Sequence, residues 1–290
     1  LGLKPADVLP ASTGVIGVEL NARLITGSMN TLVAELSADR FEEAAAAILT
    51  TDTRMKIAEA GAGKARIAGM TKGSGMIHPR MATTLGFVMT DAKIAPARLK
   101  AMLVRANART YNRISVDGDT STNDMVSVMA NGLAGAVDEA KFEKALTAVL
   151  ESLAIQIVRD GEGAKKLVTI SVEGTRTESD GDRIARAIAN SPLVKTAIAG
   201  SDPNWGRLIS SAGTAGVAVD PSKVDIYLQG DLVCRGGLAA PMDEAAMAKK
   251  LDAPDCAVRF VLRGSGKARV KFWTCDFTEE YIKINASYRT

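Results

Sequence analysis

A single histidine in 290 residues is the sharpest scarcity in this sequence. Any Ser-His-Asp or Cys-His device must run through His78 or be absent. A histidine beside Pro79 in a loop more often serves packing or the surface. Setting it aside leaves a lysine, a carboxylate or an N-terminal amine as general base. Aromatic residues are 4% of the chain, too few for base-stacking platforms, and the net charge of +3 comes from dispersed basic residues. Nucleic acid is therefore not an expected partner. The three cysteines (Cys234, Cys256 and Cys275) are odd in number and not closely paired. That argues against disulfides or zinc and for buried free thiols in a reducing compartment, here the cytoplasm. No apolar run approaches the length of a membrane span and no signal-peptide pattern occurs, so no membrane partner is expected. The first residue is not methionine, as in a processed chain or a piece of a longer one.

What is present describes a globular protein, with 47% hydrophobic and 24% charged residues and enough length for one large or two ordinary domains. Helical patterning is expected over 37–49, 96–108, 138–158, 181–190 and 239–251. Strands are expected at 113–116, 167–172, 223–232, 257–262, 267–275 and 281–286, with a hairpin around Gly61–Gly63. The mixture lacks a strict βαβ rhythm, which predicts an α/β fold, a layered sandwich with mixed sheets.

The most informative stretch is 69–92, GMTKGSGMIHPRMATTLGFVMTDA. A glycine-rich loop carrying Lys72 and Ser74 turns through His78 and Pro79, then enters a strand with alternating apolar residues at 81–90. Lys72 precedes the glycines, which disfavours a nucleotide P-loop. An ordinary Gly/Pro turn is one reading. The other is a nucleophile at the strand mouth, a threonine whose own α-amine acts as base after cleavage of the bond before it.

Elsewhere, Thr13-Gly14 can offer an N–H and a hydroxyl to an oxyanion, or form a plain turn. The acid-rich loop 117–124 lacks the EF-hand order and suits turn formation and helix capping. Glu162 stands between two glycines, as a ligand, an acid/base group or a solvated turn residue. Trp205 and Arg207, in the loop 201–216, could recognise a ligand or pin the loop by packing.

Five separated motifs occur in one order: KGSGMIHPRMATTLGFVMTDA, NRISVDGDTSTND, RDGEGAKK, SDPNWGR and YIKINASYRT. Together they resemble the ornithine acetyltransferases, the self-cleaving glutamate N-acetyltransferases of the cyclic arginine pathway, from Ser12 to Thr290. The family carries a further segment before its STGVIG motif, so this chain is expected to be shorter than its relatives.

The resemblance implies autoproteolysis between Ala82 and Thr83, dividing the chain into an α part (1–82) and a β part (83–290) that stay associated. It implies Thr83 as nucleophile, Thr13 and Gly14 as oxyanion hole, and Thr50, Lys72, Thr83, Glu162, Asn285 and Thr290 as substrate-binding positions. Arg80 and Thr84 depart from the family pattern, where a small polar residue and a methionine are common. Thr84 places a second hydroxyl beside the junction, although Ala82-Thr83 matches it better. N2-Acetylornithine, glutamate and ornithine are the implied ligands, with acetyl-CoA a further donor in part of the family, no cofactor or metal, and a heterotetramer of two processed copies. A self-processed N-terminal-threonine amidohydrolase or aminopeptidase is the rival enzyme reading, and a binder that never cleaves is the non-enzymatic one.

Overall fold

The computed structural model describes residues 2–78 and 84–287. Its first helix, α1 (Ala22–Ala34), is capped by Asn21, whose side chain accepts from Arg23 N, and buries none of its residues. Helix α2 (Phe41–Ala47) follows a short turn capped by Ser37 and carries Glu42 and Glu43 at its start, where acids complement the helix dipole.

Strands β1 (Lys56–Ala62) and β2 (Ala65–Lys72) form the expected hairpin, turning at Gly63 with φ 68°. β2 pairs antiparallel with β3 (Leu85–Lys93), in register from Ile67 opposite Thr90 to Lys72 opposite Leu85. The strands flanking residues 79–83 are thus neighbours in one sheet. Helix α3 (Pro96–Arg109) starts on proline, which lacks only an N–H the first turn could not use, and buries Leu99, Met102 and Ala106 on one face. After the short β4 (Ile114–Ser115), β5 (Met125–Ala136) joins β3 in parallel and completes the sheet order β1-β2-β3-β5.

Helix α4 (Glu139–Arg159) begins at Asp138, whose carboxylate accepts from Ala140 N (3.0 Å) and Lys141 N (3.1 Å). Its buried residues Phe142, Leu146, Val149, Leu150, Leu153 and Ile157 recur at helical spacing and pack on Ile67, Val88 and Met102. Each such fully buried aliphatic side chain contributes about 1.5–3 kcal/mol. α4 contacts β1 and β2 and also the second sheet, so one helix fixes the position of both.

That second sheet runs through β6 (Leu167–Thr175), β7 (Val224–Leu228), β8 (Asp231–Arg235), β9 (Leu238–Ala239), β10 (Asp255–Leu262) and β11 (Ala268–Cys275). Its order is β4-β11-β6-β10-β7-β8-β9, with β6/β10 and β4/β11 parallel and the other pairs antiparallel. Helices α5 (Glu178–Ala189), α6 (Pro192–Ala199), α7 (Trp205–Gly213) and α8 (Glu244–Leu251) supply Ile184, Ile188, Val194, Leu208 and Met247 to its core. The expected α/β sandwich with mixed sheets is what forms. Cys234, Cys256 and Cys275 are free and buried.

Five local expectations need correction. The strand expected at 281–286 is helix α9 (Glu279–Ser287). Alternating Ile282 and Ile284 suggested a strand, but Phe277 stacks on Tyr281 with centroids 4.7 Å apart, and Lys283 reaches back to Glu280 (3.5 Å) and Glu279 (4.0 Å). The single strand at 223–232 is a hairpin of β7 and β8, because Gln229 (φ 49°) and Gly230 (φ 89°) both adopt the left-handed conformation a two-residue turn needs. The helix at 239–251 starts only at Glu244, after Pro241 and the Asp243 cap, while Ala239 pairs with Cys234. The loop at 201–216 contains α7, and the loop 117–124 leads into a strand, so it caps no helix.

Candidate functional site

The C-terminal end of β2 and the segment before β1 are clamped by one buried ion cluster. Lys56, 1% exposed, places Nζ 2.6 Å from Asp52 Oδ1 and 2.5 Å from Asp160 Oδ2. Asp52 also accepts from Gly73 N (2.6 Å) and Thr50 N (3.2 Å). Burial opposes ionisation of Asp52, yet the Lys56 hydrogen bond and the Gly73 and Thr50 amides outweigh it and hold the carboxyl below its ordinary range. Because buried charges cost several kcal/mol unless fully partnered, the cluster fixes both loops together. It sets Thr50 Oγ1 3.1 Å from Lys72 Nζ and Thr51 Oγ1 2.7 Å from Ser74 Oγ. Burial lowers the pKa of Lys72, opposed by the charges of Asp52 and Asp124.

Glu162 arrives from the other side, immediately after α4. Its amide donates to Ser74 O (2.9 Å), and its Oε2 accepts from Asn285 Nδ2 (3.0 Å) on α9. A Cβ at Gly75 would lie 2.5 Å from the Glu162 carboxylate, so glycine there admits the acid to the loop. Gly163 packs against the Tyr281 backbone with φ 70°, and Thr278 Oγ1 donates to Gly163 O (2.6 Å), which locks α9 onto the turn.

A third contribution comes from the 117–124 loop. Asp117 accepts from Met76 N (2.7 Å), Ile77 N (2.9 Å) and Asp119 N (3.2 Å). Burial raises its pKa despite these amides. Thr120 Oγ1 donates to His78 O (2.9 Å). The His78 ring is buried: Nδ1 lies 3.3 Å from Ser115 Oγ and from Asn190 Nδ2, and Nε2 lies 3.4 Å from Arg186 Nη1. This is the packing environment expected of a histidine beside proline.

Thr13, Gly14, Thr50, Lys72, Glu162 and Asn285 line one cavity of about 460 Å³. Thr13 and Gly14 border it as exposed coil. Ala82, Thr83 and Thr290 lie outside the described residues. Thr84, just past the junction, is buried, and its Oγ1 has no hydrogen-bond partner among the described residues. Asp117, Thr120 and Tyr281 also line the cavity, and sequence reasoning missed all three as site residues. The first two sat in a stretch read as a turn, the third in a segment read as a strand. Trp205 and Arg207 lie elsewhere, in α7.

Chemically, the cavity presents one ammonium (Lys72), the carboxylates of Glu162, Asp117 and Asp119, and several hydroxyl and amide groups. Such a set can take a zwitterionic ligand by its carboxylate and its amine at once. Among the described residues, no group of three or more His, Cys, Asp or Glu side chains is placed to hold a metal ion.

Comparison with known proteins bears on this site. The family profile described as the ArgJ family matches residues 1–290. The chain is 46% identical over 302 aligned residues to the arginine biosynthesis bifunctional protein ArgJ of Desulfotalea psychrophila, covering 100% of this chain and 77% of that protein. It is 47% identical over 290 residues to the protein of the same name from Thermus thermophilus, covering 100% of this chain and 75% of that one. The crystal structure of the arginine biosynthesis bifunctional protein ArgJ from Bacillus halodurans is similar at 40% identity with a TM-score of 0.68, covering 70% of this chain and 98% of that one.

Proposed function

The chain belongs to the ArgJ family, and on that footing we propose that it moves an acetyl group from N2-acetylornithine to glutamate in arginine biosynthesis. The observation that carries the reading is the convergence of Thr13, Gly14, Thr50, Lys72, Glu162 and Asn285, from distant parts of the sequence, on one cavity. In this proposal the chain first cleaves itself between Ala82 and Thr83, giving parts 1–82 and 83–290. Because β2 and β3 are paired strands, the two parts stay joined by sheet hydrogen bonds after the cut.

The new α-amine of Thr83 takes the proton from its own Oγ as the oxygen attacks the acetyl carbonyl of N2-acetylornithine. Thr13 and Gly14 donate to the oxyanion that forms. The intermediate collapses, the C–N bond breaks, and the proton held on the Thr83 amine passes to the departing ornithine nitrogen. Acetyl-Thr83 remains as an ester. The amine of glutamate attacks it, releases N-acetylglutamate and restores the hydroxyl. Lys72 pairs with a substrate carboxylate and Glu162 with a substrate ammonium, which favours an amino acid over water as the acceptor. Acetyl-CoA is a second donor within the same proposal, and processed copies assemble in pairs in the cytoplasm.

Initial rates at varied acetylornithine and glutamate test the scheme. Parallel double-reciprocal lines are expected from the ping-pong order. Intersecting lines would contradict a shared acetyl-enzyme. Equal acetylornithine cleavage with and without glutamate would favour the amidohydrolase.

A further inference from the structure

A second and larger cavity, of about 860 Å³, opens among α5, α6 and α7. Its wall carries the guanidinium groups of Arg183, Arg186 and Arg207 and no carboxylate. Arg186 is engaged: Nη2 lies 3.2 Å from Asp182 Oδ2 and donates to Asn112 O (2.7 Å), and the guanidinium sits over the Phe272 ring. Arg183 and Arg207 have no ion-pair partner among the described residues. Arg207 Nη1 donates to Leu193 O (2.7 Å) and to Thr196 Oγ1 (3.4 Å), which ties α7 to α6 and leaves Nε and Nη2 without a hydrogen-bond partner among the described residues. Arg183 rests against Gly216 (φ 65°), where any Cβ would meet the guanidinium. Asp202, the acid beside α7, is turned into a local contact with Asn204 Nδ2 (3.2 Å).

Arg183 and Arg207 both line this open space with no carboxylate on its wall, a setting that favours an anion. Each offers the planar fork that matches phosphate oxygens two at a time. The starts of α6 and α7 also line the cavity, with Val194 N capped by Ser191 Oγ (3.4 Å) and Trp205 N and Arg207 N donating to Pro203 O (2.9 Å) and Asn204 O (3.3 Å). A lone phosphate would leave most of the space unfilled, since ligand sites of about 300–1,000 Å³ hold whole small molecules. Pro192, Leu193 and Ala215 give the remainder of the ligand an apolar wall. The SDPNWGR motif, which the acetyl-transfer scheme does not use, supplies Asn204 and Arg207 to this wall.

We propose that this cavity binds a phosphate-bearing small molecule of about nucleotide size, with Arg183 and Arg207 gripping its phosphates. The site is separate from the acetyl-transfer cavity and does not depend on that reaction.

Calorimetric titration of the full protein with ADP, and with adenosine as its uncharged counterpart, tests the proposal. ADP should bind saturably at one per chain with a Kd below about 1 mM, and adenosine at least about tenfold more weakly. Arg183→Gln and Arg207→Gln should each weaken ADP by at least about tenfold. Arg105→Gln, at a guanidinium on α3 already paired with Glu143, should leave binding unchanged. If loss of the Leu193 contact unfolds Arg207→Gln, Arg183→Gln carries the test, because Arg183 is exposed and holds no such bond. No saturable ADP binding, equal affinity for adenosine, or an equal effect of Arg105→Gln would each overturn it.

Discussion

Asp117 holds Met76 by its backbone amide, 2.7 Å from Oδ2, in a left-handed conformation with φ 57° that a methionine rarely adopts. The same carboxylate takes the amide of Ile77, so one acid fixes the loop directly before His78 and the 79–83 segment. Asn at 117 keeps the shape but turns an amide NH2 toward N–H donors that a carboxylate oxygen had accepted. Asp117→Asn should lose about 1.5–3 kcal/mol of stability, the scale of a charged hydrogen bond. A fall in Tm by calorimetry, with slower appearance of the two pieces on a denaturing gel, is the expected outcome.

Gly75 is the place where a single methyl group should damage the reaction more than the fold. Its Cβ would lie 2.5 Å from the Glu162 carboxylate, which is the end of a side chain and can swing away. Gly75→Ala should therefore displace Glu162 from Asn285 with little change in Tm. The expected result is a KM for acetylornithine raised at least about tenfold, the worth of one charge-assisted contact. An unchanged KM would remove Glu162 from substrate binding.

Thr84 offers the control for the nucleophile. Its buried Oγ1 has no hydrogen-bond partner among the described residues, so replacing the hydroxyl by a methyl group costs no bond. Thr84→Val should cleave, turn over and melt like the parent protein. Loss of cleavage in Thr84→Val would move the junction by one residue.

The pH profile of acetyl transfer should be a bell with two assignable limbs. A freed α-amine ordinarily has a pKa of about 7.7–8.0 and must be unprotonated to act as base, so activity rises with pH through that range. Burial lowers the pKa of Lys72 beneath its ordinary 10.5, so the ammonium that pairs with substrate carboxylate is lost earlier than for an exposed lysine. The KM for glutamate should climb along the alkaline limb. In Lys72→Arg, whose charge persists, that climb should vanish.

The sequence carried the fold well where periodicity and caps agree. The Pro96 start, the Asp138 cap and the spacing of Phe142, Leu146 and Leu150 locate α3 and α4 to within a residue or two. It failed where tertiary contacts decide. Ile282 and Ile284 alternate like a strand, yet the segment pairs with no strand among the described residues and folds as a helix against Gly163. The Gln229-Gly230 turn lacks the asparagine that would have announced it. That Thr50, Lys72 and Asn285 would share one cavity was implied only by the family resemblance, whereas Thr13-Gly14 and Glu162 also drew a chemical reading, beside a plainer one, from their own surroundings. Asp117 and Tyr281 were not legible at all. Their contribution depends on burial against loops distant in the chain, which no local pattern encodes.

The most direct test of self-cleavage and acetyl transfer is intact-mass spectrometry of the purified protein before and after mixing with N2-acetylornithine. The account predicts two polypeptides, 1–82 and 83–290, the second gaining the mass of one acetyl group on Thr83 and losing it when glutamate is added. A single uncut polypeptide with full activity, or an adduct retained in Thr83→Ala, would contradict it.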